Sequence, residues 1–431
     1  MKKRIAIISG YRSAMGKAGS AFSEINAHDL GARVAKEVLI RSNIDCKIID
    51  EVIIGNVAQP SDAANIARVI ALKAGIPDNV AAFSVHRNCA SGMESITSAA
   101  SKINNDEADI IFAGGVESMT NIPFLYNKKM VNFFTNLAKS KKILQKIKSL
   151  SSFRLSNLSP VIAIQQGLTD PISGLIMGNT AENIANDFKI TRKEQDEFAL
   201  NSHKKASKAI KNNIFASEII PIFNNKKAMI DEDEGVRKEQ TIEDLAKLRP
   251  YFNKILGSVT VGNSSQITDG AAFVILMSEQ KAKALSKKYN FEILGYLTEF
   301  AYAGLDPSRM GLGPVFATKK LLDKIDIKLS DFDLIEINEA FAAQVIGCVK
   351  AFGDDEFCRK YLDMKNSFGK IDENILNVNG GAIALGHPVG MSGTRIIIHA
   401  LRELKRRKKK SALASLCIGG GQGGACFLEV E

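Results

Sequence analysis

Two stretches of the chain, EVIIGN at 51–56 and DLIEIN at 333–338, are each a short apolar run closed by asparagine. Each is followed by a strand-like segment, a turn of small residues and a long helical pattern. In the first copy this is AAFSVHRNCASGMESITSAASKI at 81–103, and in the second ILNVNGGAIALGHPVGMSGTRIIIHALREL at 375–404. One order of elements met twice predicts an internal duplication. Strands alternating with helices predict an α/β fold with a mainly parallel sheet. The 431 residues suffice for two such halves. With 45% hydrophobic and 24% charged residues, a largely disordered chain is excluded.

Local signals fill in the halves. A strand is expected over 3–9, ended by Gly10, and a helix over 27–42 with Leu30, Val34, Val38 and Leu39 on one face. Residues 63–74 fit a helix closed by Gly75. Residues 108–115, 271–277 and 375–378 read as strands. Residues 412–418 and 425–430 flank GGGQGG and read as a terminal hairpin. The middle differs. Residues 121–176 are basic and hold no clear strand, and Thr191 with Glu194 gives the capping-box pattern of a polar helix. The expected boundaries are a first half over 1–120, an inserted loop domain over 121–250, a return to the first half over 251–278, and a second half over 279–431.

No apolar run reaches the roughly 18 residues that span a bilayer, and Ile5 to Ile8 is too short for a signal-peptide core. A cytoplasmic protein is expected, with free thiols. Its six cysteines form no C-x-x-C pair, so no metal site is expected. Eight of the ten net positive charges lie between Glu117 and Asp170, a stretch without any acid: Lys128, Lys129, Lys139, Lys141, Lys142, Lys146, Lys148 and Arg154. The basicity is therefore local. No recognition motif accompanies it, and no nucleic-acid partner is expected.

Four residues stand where chemistry could occur. Cys89 falls where a helix should begin. Backbone N–H groups and the helix dipole there favour thiolate and would lower its pKa. The competing reading is an inert cysteine in a small-residue packing patch. His387 sits in the most glycine-rich turn and could deprotonate a thiol, or merely cap the turn. Cys417 ends a strand before glycines. No Gly-Lys-Ser/Thr follows it, which disfavours nucleotide binding. Asn338, at a strand end, could hold a water or a carbonyl oxygen, or serve as a simple cap. A nucleophile at the helix start of one half and a base at that of the other is what acyl transfer through cysteine needs.

At these residues the sequence resembles the thiolase family. The matches, in order along nearly the whole chain, are NCASGMES at 88–95, AGGVESM at 113–119, MGNTAENIA at 177–185, GNSSQITDGAA at 262–272, NEAFAAQ at 338–344, NVNGGAIALGHPVGMSGTR at 377–395 and CIGGGQGGA at 417–425. The resemblance implies a duplicated fold of five layers, α-β-α-β-α, dimerising through its core sheet, with a tetramer as the other homo-oligomer. It implies cleavage of 3-ketoacyl-CoA by CoA, with CoA and acyl-CoA as substrates and no permanently bound cofactor. Carried over by motif, Cys89 becomes acylated, His387 activates it, and Cys417 is the second acid/base. A water on Asn338 forms one oxyanion hole with His387, and the backbone N–H groups of Cys89 and Gly419 form the other. Ser265 matches a contact to pantetheine and Met310 a pocket methionine.

Two features resemble the thiolase β-subunits of trifunctional fatty-acid oxidation complexes: the long basic block, and the insert AFGDDEFCRKYLDMKNSFGKIDEN between the Asn338 and His387 motifs. NEAF departs from the His-Glu-Ala-Phe frequent in those subunits. An acetoacetyl-CoA thiolase condensing two acetyl-CoA is thus the alternative activity, and an inactive thiolase-like membrane adaptor is the alternative of another class. Residues 125–154 interleave apolar side chains with lysines. One amphipathic helix is expected there, with Phe133, Leu137, Leu144 and Ile147 on one face. It suits an anionic membrane surface, making the protein peripheral to the membrane, or a hydratase–dehydrogenase partner subunit. The competing reading is a cap packed on the protein's own body.

Overall fold

Alternate residues of the strands face different cores, and this sets the layers. In β1 (Ile5–Ser13), Ile5 and Ile7 join one apolar cluster while Ala6 and Ile8 join another. A strand buried on both faces requires that period of two. The computed structural model describes residues 4–431. The remaining main strands are β2 (Glu51–Gly55), β3 (Ala81–Val85), β4 (Ile110–Ser118), β5 (Thr268–Ser278), β6 (Gly295–Gly304), β7 (Leu334–Ile337), β8 (Ser411–Ile418) and β9 (Gln422–Glu429). They lie in the order β7-β8-β9-β6-β1-β5-β4-β2-β3.

The duplication is visible in that order. Outward from the centre, the first half runs β1-β5-β4-β2-β3 and the second β6-β9-β8-β7. In both, the outer pairings (β2 with β4, β7 with β8) are parallel and the inner ones antiparallel. The halves meet where Ile5–Ile7 of β1 pairs with Gly295–Leu297 of β6. The counterpart of β3 is the expected strand at 375–378, but it forms only a single bridge to β7, Leu376 to Ile335. Asn377 explains the difference. Its φ is +44°, and its side chain bonds both the N–H and the C=O of Ile337, replacing the ladder.

The principal helices are α1 (Ala27–Ser42), α2 (Ile66–Ala74), α3 (Ser91–Asn104), α4 (Lys128–Lys139), α5 (Ile143–Ser151), α6 (Met177–Asp187), α7 (Arg192–Lys211), α8 (Gly313–Leu322), α9 (Ala342–Phe352) and α10 (Val389–Arg407). α1 and α2 cover the outer face of the first half-sheet, and α8, flanked by α9, covers that of the second. α3 and α10 lie side by side between the two half-sheets. The result is the expected five-layer duplicated thiolase fold. Glycines let the two inner helix starts touch: a side chain at Gly92 would strike Thr394 Oγ1 at 2.6 Å and Gly390 O at 2.7 Å.

Three further expectations need correction. β1 does not end at Gly10 but runs on to Ser13, its pairing with β5 resuming after a shift between Ile7 and Ser9. The last strand begins at Gln422 rather than 425, since Gly419 to Gly421 suffice for the turn. The basic block contains a small hairpin, Phe124–Tyr126 with Pro160–Ile162, and two helices instead of one. α4 stops at Ser140, which turns extended while its hydroxyl bonds Asn136 O. The capping box at Thr191 and Glu194 opens α7 as expected. Ile219–Ile220, within the central block, pairs with β1.

Candidate active site

Both reactive candidates precede a helix by the same step. Cys89 is followed by Ala90, the N-cap of α3, and His387 by Pro388, the N-cap of α10. The residue before each has positive φ, +43° at Asn88 and +118° at Gly386. A sharp turn therefore presents each side chain at the start of a central helix. Asn88 holds its strained conformation through two bonds: Ser91 Oγ donates to Asn88 O at 2.7 Å, and Asn88 Nδ2 donates to Gly419 O at 2.7 Å.

The imidazole of His387 is buried between two partners. Ser392 Oγ lies 2.6 Å from Nδ1 and donates its own proton to Pro388 O at 3.0 Å. With the Ser392 proton on Pro388 O, Nδ1 carries the ring proton and Nε2 is the acceptor. Nε2 faces Asn338 Nδ2 at 3.4 Å. Burial pushes His387 down to about 4, and the positive Arg395 adds to this. At neutral pH it is an uncharged base.

Asn338 follows β7, its N–H bonded to Ser415 O. Its buried Oδ1 has no partner in the protein. A lone acceptor of this kind is suited to a water or a substrate group.

Cys89 is half-buried as a residue, with its sulfur enclosed. Its pKa is raised, contrary to the expectation of a lowered one. Burial is the main cause, and the carboxyl of Glu117 adds to it. The N–H groups of Gly419 and of Cys89 itself point at the sulfur and pull the other way without winning. Cys417 lies near the end of β8. Burial raises its pKa well above the ordinary value, and Cys89 and Cys348 act on it in the same direction. Both thiols are neutral at rest, so a proton has to move during the reaction.

Cys89 is thus linked to Gly419 and Cys417 of the β8–β9 end, and His387 to Asn338. Ser265 lies apart in its contacts, half-buried, its N–H bonded to Ala340 O in the NEAF segment. Met310 is buried in the outer core of the second half. Sequence reasoning missed Ser392, although it stands in the first turn of the helix that His387 precedes. It also missed Gln266, whose carbonyl accepts the His387 N–H at 3.3 Å. A cavity of about 650 Å³ lies at the other end of α10. Arg41, Lys405 and Arg406 in its wall stand in the last turns of α1 and α10, where cations complement helix C-termini. Among the described residues no group of three or more His, Cys, Asp or Glu is placed to hold a metal ion.

The chain is similar to known proteins over its whole length. The family model for the thiolase N-terminal domain matches residues 5–280, and that for the thiolase C-terminal domain matches residues 291–430. A 3-ketoacyl-CoA thiolase of Aliivibrio fischeri is 40% identical over 430 residues, which cover 99% of this chain and 96% of that protein. One of Vibrio cholerae is 39% identical over 431 residues, 100% and 98% of the two chains. Among solved structures, human mitochondrial 3-ketoacyl-CoA thiolase in complex with CoA superposes with a TM-score of 0.85 at 36% identity, covering 100% of this chain and 98% of that one. The Bacillus anthracis acetyl-CoA acetyltransferase gives 0.86 at 38% identity, covering 99% of both chains.

Proposed function

This chain belongs to the thiolase family, and from that premise we propose how its residues divide the work of a 3-ketoacyl-CoA thiolase. It is an acyltransferase that cleaves 3-ketoacyl-CoA with CoA in fatty-acid β-oxidation. In our reading the Cys89 thiol gives its proton to His387 Nε2 as the sulfur attacks the 3-keto carbon. The bond between C2 and C3 breaks, and the departing acetyl-CoA carbanion takes a proton from Cys417. The shortened acyl group stays on Cys89 until a CoA thiol, deprotonated by the Cys417 thiolate, removes it as acyl-CoA, and the departing Cys89 sulfur takes its proton back from His387. N–H groups of Cys89 and Gly419 stabilise one oxyanion. His387 and a water on Asn338 stabilise the other. Ser265 contacts the pantetheine arm and Met310 lines the acyl pocket.

One observation carries this reading: a neutral His387 before α10 meets Asn338, while its counterpart before α3, Cys89, has the Gly419 N–H turned toward its sulfur. Incubation with a 3-ketoacyl-CoA should place the acyl group on the Cys89 peptide by mass spectrometry. A label on Cys417 instead would reverse the two roles. In this reading the central block widens the acyl pocket, and cleavage should extend to medium and long chains when a C4-to-C16 series is assayed. The NEAF sequence and the likeness to the Bacillus anthracis acetyltransferase favour the second reading, condensation of two acetyl-CoA. Activity confined to the C4 substrate would establish it.

The α4–α5 hairpin supports a docking role. On α5, Ile143, Leu144, Ile147 and Leu150 form one face and are 55–78% exposed, so that face is not packed on the protein's own body. Phe133 and Leu137 of α4 instead turn inward, half-buried, so the expected shared face is divided between two helices. Within α5, Lys146 and Lys148 border the apolar face at helical spacing, and Lys141 and Lys142 directly precede the helix. An apolar stripe bordered by cations fits an anionic lipid surface. Among the described residues no helix is long and apolar enough to cross a membrane. The protein in this reading is cytoplasmic, peripheral to the membrane and a homodimer, with the edge strand β3 at its interface. It should float with vesicles of phosphatidylserine and phosphatidylcholine but not phosphatidylcholine alone. Salt should weaken the binding, and Lys139→Glu, Lys141→Glu, Lys142→Glu and Lys146→Glu together should abolish it. No flotation, with a hydratase–dehydrogenase subunit co-purifying, would assign the face to that partner.

A further inference from the structure

The sheet registers align the two halves residue by residue. Gly55 of β2 pairs with Gly115, and Ile337 of β7 pairs with Ser415. The residues that follow, Asn56 and Asn338, therefore correspond. Two residues beyond each partner stand Glu117 and Cys417, which correspond as well. Cys89 and His387 already match, each directly before a helix N-cap. Each half thus offers an asparagine, a residue at the helix start and a residue at the strand end: Asn56, Cys89 and Glu117 in one, Asn338, His387 and Cys417 in the other. Four of the six have roles in the reading above. Glu117 occupies the place of the second thiol and has none.

The Glu117 carboxyl is fully buried, and its ligands are N–H groups. Oε1 accepts from Asn56 Nδ2 and Ala58 N, both at 3.1 Å. Oε2 accepts from Val57 N and Gly390 N, both at 3.0 Å. Gly390 lies in the first turn of α10, three residues after His387. A side chain there would meet Glu117 Oε2 at 2.7 Å, so glycine is what allows the contact. One carboxyl thereby ties the Asn56 loop of the first half to the His387 helix of the second. The titratable groups facing it are Cys89 and Asp269.

We propose that Glu117 is a positioning residue of the acyl-transfer site: it clamps the start of the His387 helix to the Asn56 loop and supplies the negative charge that Cys89 faces. This rests on the roles given above to Cys89 and His387. The clamp needs a carboxylate because each oxygen accepts two N–H donors. An amide would set its own NH2 against two of them. Burial pushes Glu117 up to about 7, with the N–H groups of Ala58, Val57 and Gly390 acting in the other direction. At pH 7 the group is thus about half ionised, and the clamp and its charge are complete only at higher pH, where Cys89 itself titrates.

Glu117→Gln in the full chain tests this. Its kcat should fall about 100-fold, as for loss of a supporting partner behind a catalytic group, with the KM for 3-ketoacyl-CoA within about threefold. Alkylation of Cys89 by iodoacetamide should move the opposite way. With the neighbouring charge gone, its pH profile should shift to lower pH. A kcat within threefold of wild type overturns the proposal. So does a kcat loss without any shift of the alkylation profile, which leaves Glu117 as a packing acceptor only. If Glu117→Gln does not fold, Asn56→Ala, which removes one of the four donors, should lower kcat about tenfold, and an unchanged kcat overturns the clamp. No acyl label on Cys89 of the wild type would sink the reading of the site itself. A label forming at the wild-type rate in Glu117→Gln would sink the clamp alone.

Discussion

Cys89→Ser lowers the rate of 3-ketoacyl-CoA cleavage by at least about three orders of magnitude while leaving the fold intact. Burial holds Cys89 above the ordinary thiol pKa, so no standing thiolate waits for substrate. The proton must pass to His387 as the sulfur attacks. A hydroxyl is a far weaker acid than a thiol, and each unit of pKa difference between the donor and a neutral imidazole is about 1.4 kcal/mol more to supply. The N–H groups of Gly419 and of residue 89 itself remain in the variant, so binding and oxyanion stabilisation survive. Steady-state cleavage with matched melting curves checks this. A Cys89→Ser rate within tenfold of wild type would mean that the nucleophile lies elsewhere.

His387→Ala abolishes turnover, and Asn338→Ala costs roughly 10²–10³-fold, the usual loss for one oxyanion donor. The difference follows from what each side chain supplies. His387 offers both the proton acceptor and, once protonated, a donor. Asn338 offers placement only. A near-normal rate in Asn338→Ala would return that residue to a strand-end cap. The same imidazole leaves a mark on stability. In the unfolded chain it binds a proton near 6.5, in the folded protein only near 4. Its contribution is therefore complete above about 6.5 and is lost as pH falls from there to about 4, by roughly 3 kcal/mol. His387→Gln should make melting temperature less sensitive to acid in that window. His203, also pushed down to about 4 by burial, keeps its own share in the variant.

Much of this was legible from residues because it rested on local chemistry. The helix over 27–42, the capping box at Thr191 and the positions of Cys89 and His387 before helices all follow from neighbours in the chain. What escaped was decided at a distance. The helix start favours a thiolate at Cys89, but burial of its sulfur, with the Glu117 carboxyl, outweighs it. The strand expected at 375–378 was lost to the side chain of Asn377, which bonds β7 across 40 residues of sequence. Glu117 lay in plain view within AGGVESM. Three of its four donors lie some 60 residues upstream at 56–58 and the fourth, Gly390, lies 273 residues downstream, and only the register of two half-sheets matches it with Cys417.

The glycine seam between α3 and α10 has a bearing on how the protein is made. Thr394 donates to Gly92 O at 3.0 Å across 302 residues of chain, and the base that Cys89 needs arrives with that contact. A growing polypeptide holding only the first half carries the nucleophile without its proton acceptor. Forming a seam between such distant residues also carries the entropic burden of a very long closed loop, which places it late in folding. Acyl-transfer capacity should therefore switch on abruptly as the second half docks, and the partly made chain should be chemically quiet toward the acyl-CoA around it.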